Sequence, residues 1–280
     1  MSRPATDRID WSKASGDVWA RRWRDTDRGL APLQPRLVSA ISRRAPKAAF
    51  AAFDVGCGPG STSIAVAEAC PEASILACDI SPALIEVAHQ RIAGSARIRP
   101  IVGDAEIVAP REGPFDSIFS RHGLMFFDDP VRAFRSLRAA ARTGASLIFS
   151  CFQTWELNPW ASELASAAAG KVLPAPGREP GPFAFADASY VSEILTSSGW
   201  LGADRQSIEF EYVAGEGAEA VADALSFLTD IGPASRVLQS LPEEDRGDGL
   251  ERMRSVIEHR LVDGTVAFPT AAWLWSATAS

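Results

Sequence analysis

Three aspartates and a run of glycines are the residues of this chain best suited to chemistry. In FDVGCGPGSTSIAVAEA, residues 53–69, Gly56, Gly58 and Gly60 alternate directly after an apolar run and directly before a helical one. Glycines there permit a tight turn and a close approach of backbone to ligand, with helix N–H groups facing it. A dinucleotide-binding loop would show G-x-G-x-x-G, but the residue after Gly60 is Ser61. Asp54, just ahead of Gly56, would repel a pyrophosphate and suits a ligand bearing an amino group. Asp79 ends the next apolar run, where a carboxylate can accept hydrogen bonds from both hydroxyls of a ribose. Asp104, in VGDAE, ends a third and can accept from an exocyclic amine.

These acids need elements to hold them. AAFAAFDV, SILACDI, RIRPIVGDA, FDSIFS and ASLIFSCF read as five strands between residues 48 and 152. Helical stretches such as PALIEVAHQRIA and DPVRAFRSLRAAA separate several of them, so βαβ crossovers and a parallel sheet are expected. The three acids then share the carboxyl edge, where open α/β sheets bind ligands. Residues 1–47 read as a polar, helical cap. Trp19 and Trp23, four apart, should share a helical face, and with Trp11 they either pack the cap onto the body or line a pocket. Beyond Cys151 come a helix from Pro159, a proline-rich connector over 173–182, a capped helix ending at Gly199, and the strand SIEFEYV. Residues 217–262 read as helices broken at Gly232-Pro233 and Leu241-Pro242, and TAAWLWSATA as the last strand. The reading is one domain over 1–280: cap (1–47), ligand-binding core (48–152) and substrate-side helices with the final strands (153–280).

Composition removes several function classes. The 280 residues are 46% hydrophobic and 22% charged, ordinary for a globular chain. The net charge is −7, opposite to the basic surplus of a nucleic-acid binder. It is uneven, since residues 1–50 hold 11 Lys or Arg against 5 acids. That basic start reads as a solvated helical surface or a site for an anion. Cys57, Cys70, Cys78 and Cys151 form no Cys-x-x-Cys pair, so neither a disulfide framework nor a metal site is expected. With no signal peptide and no membrane span legible, a cytoplasmic protein is expected.

The segments DVGCGPG, ACDIS, GDAE, SRHGLMFFDDP and ARTGASLIF together resemble a class I S-adenosylmethionine-dependent methyltransferase of the small-molecule, ubiquinone/menaquinone-type group. The resemblance covers roughly residues 48–152, with looser similarity in NPW, GPFAF and DASYVSEIL. It implies a Rossmann-like seven-stranded α/β sheet ordered 3-2-1-4-5-7-6, strand seven antiparallel, with a helical cap. It implies S-adenosylmethionine as cofactor. Gly56, Cys57, Gly58 and Gly60 would surround its methionine part with Asp54 nearby. Asp79 and Ile80 would take the ribose, Asp104 and Ala105 the adenine, and Ser120 and Arg121 would border the sulfonium. A single glycine in ARTGA replaces the family's Pro-Gly-Gly turn, and His122 stands where related chains tend to carry an aromatic residue.

Methyl transfer is an in-line displacement at a carbon already activated by positive sulfur. Alignment is worth about 7–11 kcal/mol, and a general base typically adds 10²–10⁴-fold. His122, beside the expected methyl position, is the candidate catalytic residue, as a base titrating near pH 6.5 or as a packing group. His89 and His259 read as surface residues. Trp155 and Trp160, with Phe126, Trp19 and Trp23, are candidates to line an apolar pocket for a small, flat acceptor. O-, N- and C-methylation stay open, as does a homodimer. A dehydrogenase is disfavoured by the loop spacing, an arsenic methyltransferase by the lack of a cysteine cluster, and an RNA methyltransferase by the acidic body. A catalytically silent, cofactor-binding or dimer-forming relative is the alternative.

Overall fold

Apolar runs that alternate with helices over a hundred residues can hide both faces only as a parallel sheet between helical layers. The computed structural model, which describes residues 11–280, has this arrangement. Its parallel strands are β1 (Phe50–Val55), β2 (Ala73–Asp79), β3 (Ile98–Val102), β4 (Phe115–Arg121) and β5 (Ala141–Phe152). β6 (Trp200–Glu216), the two-residue β7 (Leu261–Val262) and β8 (Thr265–Ala279) complete the sheet, with β8 antiparallel to β5 and β6. The order is β3-β2-β1-β4-β5-β8-β6, with β7 off the path against β8. The expected path therefore holds, and the short β7 hairpin makes the antiparallel strand the eighth instead of the seventh.

Alternate strand residues face two cores. Toward one face, Phe119 and Ile148 pack with Leu37 and Ile41 of α3 (Gln34–Arg44), Val66 of α4 (Ser61–Ala69) and Ile85 of α5 (Pro82–Ile92). Toward the other, Phe53, Ile118 and Phe149 pack with α6 (Ala105–Glu112), α7 (Pro130–Ala139) and α9 (Ala188–Ser197). Side-chain caps set several helix starts: Leu84 N–H donates to Ser81 Oγ at 3.2 Å, and Arg132 N–H to Asp129 Oδ1 at 3.0 Å. Helix α6 has no clear sequence signal because Pro110 stands inside its eight residues.

Two departures build the site. First, β6 and β8 are much longer than their apolar stretches. The last β5–β8 pair is Phe152 with Ala272, whereas β6 and β8 continue paired through Tyr212–Phe268 to Glu216–Thr265. A two-stranded ribbon thus projects past the carboxyl edge of the parallel strands. Helices α8 (Pro159–Ala169), α10 (Ala220–Asp230), α11 (Pro233–Ser240) and α12 (Glu243–Glu258) gather on that side, α11 and α12 against α8 and α10 against β6. Second, the N-terminal cap divides. Helix α3 belongs to the sheet's covering layer, and only α1 (Ala14–Arg21) and α2 (Trp23–Leu30) lie over the edge. The part of the helical expectation that falls on residues 1–10 lies outside the described residues. Residues 173–182 form no helix or strand, and Gly181 N–H ties their end to Met125 O at 3.1 Å.

Candidate active site

The glycine loop joins β1 to α4. Gly56, Gly58 and Gly60 all have left-handed φ, at 65°, 53° and 83°. A Cβ on Gly56 would come 3.2 Å from Gly123 Cα, whereas Gly58 has open space beside it. The loop is held by Asp79, whose Oδ2 accepts from Gly58 N–H and whose Oδ1 accepts from Ser81 N–H, both at 2.9 Å. Burial raises the Asp79 pKa, and these backbone donors oppose the rise. Ile80 and Val102, each 46% exposed, put apolar surface beside this acid at the ends of β2 and β3. Asp104 caps α6, accepting from Glu106 N–H at 2.8 Å through Oδ1, and Ala105 lies buried next to it. An apolar slot between two carboxylates can take a purine ribonucleoside.

Asp54 is buried. Its Oδ2 accepts from Ser63 Oγ at 2.6 Å, while its Oδ1 has no partner among the described residues. Desolvation pushes its pKa up to about 7 against the opposing pull of Ser63 and Arg121. Cys57 is buried as well, its N–H bonded to Cys78 O at 3.0 Å. Ser120 serves the frame, since its hydroxyl donates to Val55 O at 2.7 Å and accepts from Gly123 N–H at 3.2 Å.

Asp27 of α2 closes the far side of the loop. Arg121 reaches it at 2.7 Å and Arg91 at 3.0 Å, and Ser61 Oγ also bonds to it. Arg91 donates further to Pro59 O at 3.0 Å, and Arg121 to Gln34 Oε1 at 3.1 Å. The Trp23 ring lies against the Arg91 guanidinium, 4.1 Å from its centroid, and so joins this knot instead of the other aromatics. The shared face expected for Trp19 and Trp23 is not found: the helix breaks at Arg22, and Trp19 packs with Trp11.

His122 has φ of 58°, a conformation that costs a non-glycine residue about 1–3 kcal/mol and persists only where surroundings enforce it. Ser150 enforces it: His122 N–H donates to Ser150 O at 3.1 Å, and Nδ1 and Ser150 Oγ are 2.9 Å apart. Nε2 is buried without a partner among the described residues. Desolvation first, and Arg121 second, lower the pKa to about 3, so the imidazole is neutral at ordinary pH. The expectation of a titration near 6.5 gives way because the ring is enclosed.

Phe152 lies 4.2 Å from the His122 ring and 5.0 Å from Trp160. Trp160 stacks on Tyr212 at 5.0 Å, and Phe183 contacts Phe152, Trp155 and Trp160. Tyr212 comes from the ribbon and packs under Gly29 of α2. The sequence marked Trp155 and Trp160 but missed Phe152, Phe183 and Tyr212, whose only signal was an aromatic type in an apolar run. Phe126 and Trp19 stand apart from this box and line a neighbouring cavity with Trp11. No group of three or more His, Cys, Asp or Glu among the described residues could hold a metal ion.

An open, doubly covered sheet with a glycine loop and acids on one carboxyl edge defines an α/β nucleoside-binding protein. A methyltransferase-domain family matches residues 52–144. The malonyl-[acyl-carrier protein] O-methyltransferase of Hahella chejuensis is 31% identical over 74% of this chain and 68% of its own length. Another protein of that name, from Ilyobacter polytropus, is 35% identical over 36% of this chain and 37% of its own length. The first relatives are thus matched over less than half their length, at 37%, 48% and 38%. The ubiquinone biosynthesis O-methyltransferase of Xanthomonas axonopodis is 29% identical over 47% of this chain and 56% of its own length. Among solved structures, YcgJ of Bacillus subtilis shares the fold at TM-score 0.55 and 15% identity, covering 86% of this chain and 97% of that one. The chain belongs to the class I S-adenosylmethionine-dependent methyltransferases, whose methyl donor is S-adenosylmethionine.

Proposed function

We propose that this protein transfers the methyl group of S-adenosylmethionine to a small, flat, largely apolar acceptor by in-line displacement. The observation that carries the reading is the aromatic box of Phe152, Trp160, Phe183 and Tyr212 beside the unpartnered Nε2 of His122. These buried rings pack on one another and form an aromatic wall suited to a flat ring that enters beside them, and the imidazole offers one polar atom to orient the nucleophile. Of the acceptors in the relatives' names, a ubiquinone-type ring fits these walls better than a malonyl chain. Asp79 with Ile80 holds the ribose, Asp104 and Ala105 take the adenine, and Val102 adds apolar contact. Gly56, Cys57, Gly58 and Gly60 wrap the methionine part, Asp54 faces its amino group, and Ser120 and Arg121 frame the sulfonium end. His122 hydrogen-bonds the acceptor as a neutral ring. Four buried, unpaired thiols fit a reducing compartment, which supports a cytoplasmic place.

The test is a mass-spectrometric screen of phenols, quinones, indoles and carboxylates for the gain of one methyl group, paired with calorimetry on Asp79→Ala. We expect turnover with at least one ring acceptor. In the variant, adenosylhomocysteine affinity should fall about ten- to a hundredfold, the worth of hydrogen bonds to a charged group. Unchanged affinity would overturn the cofactor assignment.

A further inference from the structure

Beside the aromatic box, between α1, the turn after β4 and α11, lies a cavity of about 230 Å³. Trp11, Trp19 and Phe126 form its apolar wall, the Trp11 ring edge-on to Trp19 at 5.3 Å and to Phe126 at 4.8 Å. On its open side are Arg236 and Gln239 of α11 and Asp230 at the end of α10. Asp230 is matched, its carboxylate taking the Arg22 guanidinium at 2.7 Å, and Gln239 Nε2 donates to Ser235 Oγ at 3.1 Å. Arg236 makes no hydrogen bond or ion pair among the described residues, although it stands beside a cavity. Arg236 is exposed to water at this mouth, and partial desolvation by its neighbours pulls its pKa down from the usual guanidinium value. The balance at this mouth is one unmatched positive charge against aromatic surface.

We propose that this cavity is an anion-reading subsite, in which Arg236 receives a carboxylate or phosphate carried on an arm of the acceptor that lies against Trp19 and Phe126 while the ring to be methylated faces His122. The proposal deepens the function given above and rests on it. Position supports one ligand serving both places: Gly232 lines the cavity, and a Cβ there would come 3.1 Å from the Trp160 ring of the box. Chemistry supports the class of ligand. A guanidinium presents a planar fork to carboxylate or phosphate oxygens, and the aromatic wall gives the apolar part of such a ligand a face to lie on. The volume is below the roughly 300–1,000 Å³ of drug-sized pockets, so it suits a small ring system with one acid group.

Calorimetry on the full chain saturated with S-adenosylhomocysteine tests this, with 2-naphthoate, 2-naphthyl phosphate and uncharged 2-naphthamide as probes. The wild type should bind at least one of the two anions about ten- to a hundredfold tighter than the amide, and the stronger of the two identifies the group that is read. In Arg236→Gln that preference should fall to near one, with Arg236→Lys between, because an ammonium keeps the charge and loses the fork. An equal preference in wild type and Arg236→Gln, or no preference in the wild type, overturns the subsite. Because the readout is binding, anion preference without methyl gain in any acceptor would sink the proposed function and leave the subsite standing.

Discussion

At the scale of single residues, burial displaces Asp54 and His122 far from ordinary titration, and they make opposite predictions. Asp54 has its pKa raised to about 7, so its neutral form is favoured by the fold. Its contribution to stability is present below about pH 4 and is lost as the pH rises through 7, on the order of 4 kcal/mol in all. With the cofactor bound as proposed, its ammonium beside Asp54 would reverse the preference and hold the carboxylate ionised. Binding S-adenosylhomocysteine near pH 6 should therefore release a proton, and affinity should strengthen as the pH climbs to 7. Calorimetry in buffers of different ionisation heat measures this. Asp54→Asn should lose that limb and keep only the decline above about pH 8, where the ligand's own amino group deprotonates. His122 titrates near pH 3, so kcat/KM should carry no His122 ionisation between about pH 5 and 9. His122→Phe should lower kcat about a hundredfold through lost orientation, with cofactor affinity within about twofold. His122→Asn, which tolerates left-handed φ, should retain more activity. Full turnover in His122→Phe would reduce the residue to packing.

At the scale of elements, the site depends on how α2 meets the ribbon. Arg22 bonds to Asp230 at 2.7 Å and to Ser226 O at 2.9 Å, and Arg28 bonds to Asp223 at 2.7 Å and to Ala214 O at 2.5 Å. Next to the Arg28 anchor, Gly29 lies on the Tyr212 ring, where a Cβ would stand 2.6 Å from it. Gly29→Ala should cost about 1–3 kcal/mol by overpacking and should weaken adenosylhomocysteine binding by shifting Asp27. Gly247→Ala, in α12 with nothing within 4 Å, should be neutral or stabilising by up to about 1 kcal/mol. Equal unfolding midpoints for the two variants would remove α2 from the account. The same elements mark what was legible in the sequence. Strand, acid, glycine loop and helix were readable because each has a local signal, and the breaks at Gly232-Pro233 and Leu241-Pro242 separate α10, α11 and α12 as expected. The full length of β6 was not readable, although its SIEFEYV stretch alternates as a strand should. Residues 201–207, LGADRQS, carry no apolar alternation, and β8 supplies the pairing that makes them strand. Nor does spacing reveal that Tyr212 meets Trp160, or that the Arg91 guanidinium takes Trp23 away from the aromatic box.

Across the whole molecule, the uneven charge noted in the sequence becomes a closure device. The basic start lies on an acidic body, and Arg22 and Arg28 spend their charge on Asp230 and Asp223 across that junction. In return Asp27 sits between Arg91 and Arg121 of the core. The roof is α1 and α2 alone, because Leu37 and Ile41 of α3 are fully buried in the sheet's own core. Removing residues 1–45 would therefore strip a structural layer and test folding instead of closure. A chain beginning at Ala31 keeps that layer and loses the roof. It should retain the sheet by circular dichroism but bind adenosylhomocysteine more weakly, since Asp27, Trp23 and the contact of Gly16 with Ser81 all leave the cofactor edge. Turnover should fall about a hundredfold or more, because displacement needs an aligned acceptor and a dry site, and the exposed Tyr212 wall offers neither. The folded shorter chain turning over at the full rate would show that the reaction needs no roof, and that the charge pairs across the junction only fasten the N-terminus down.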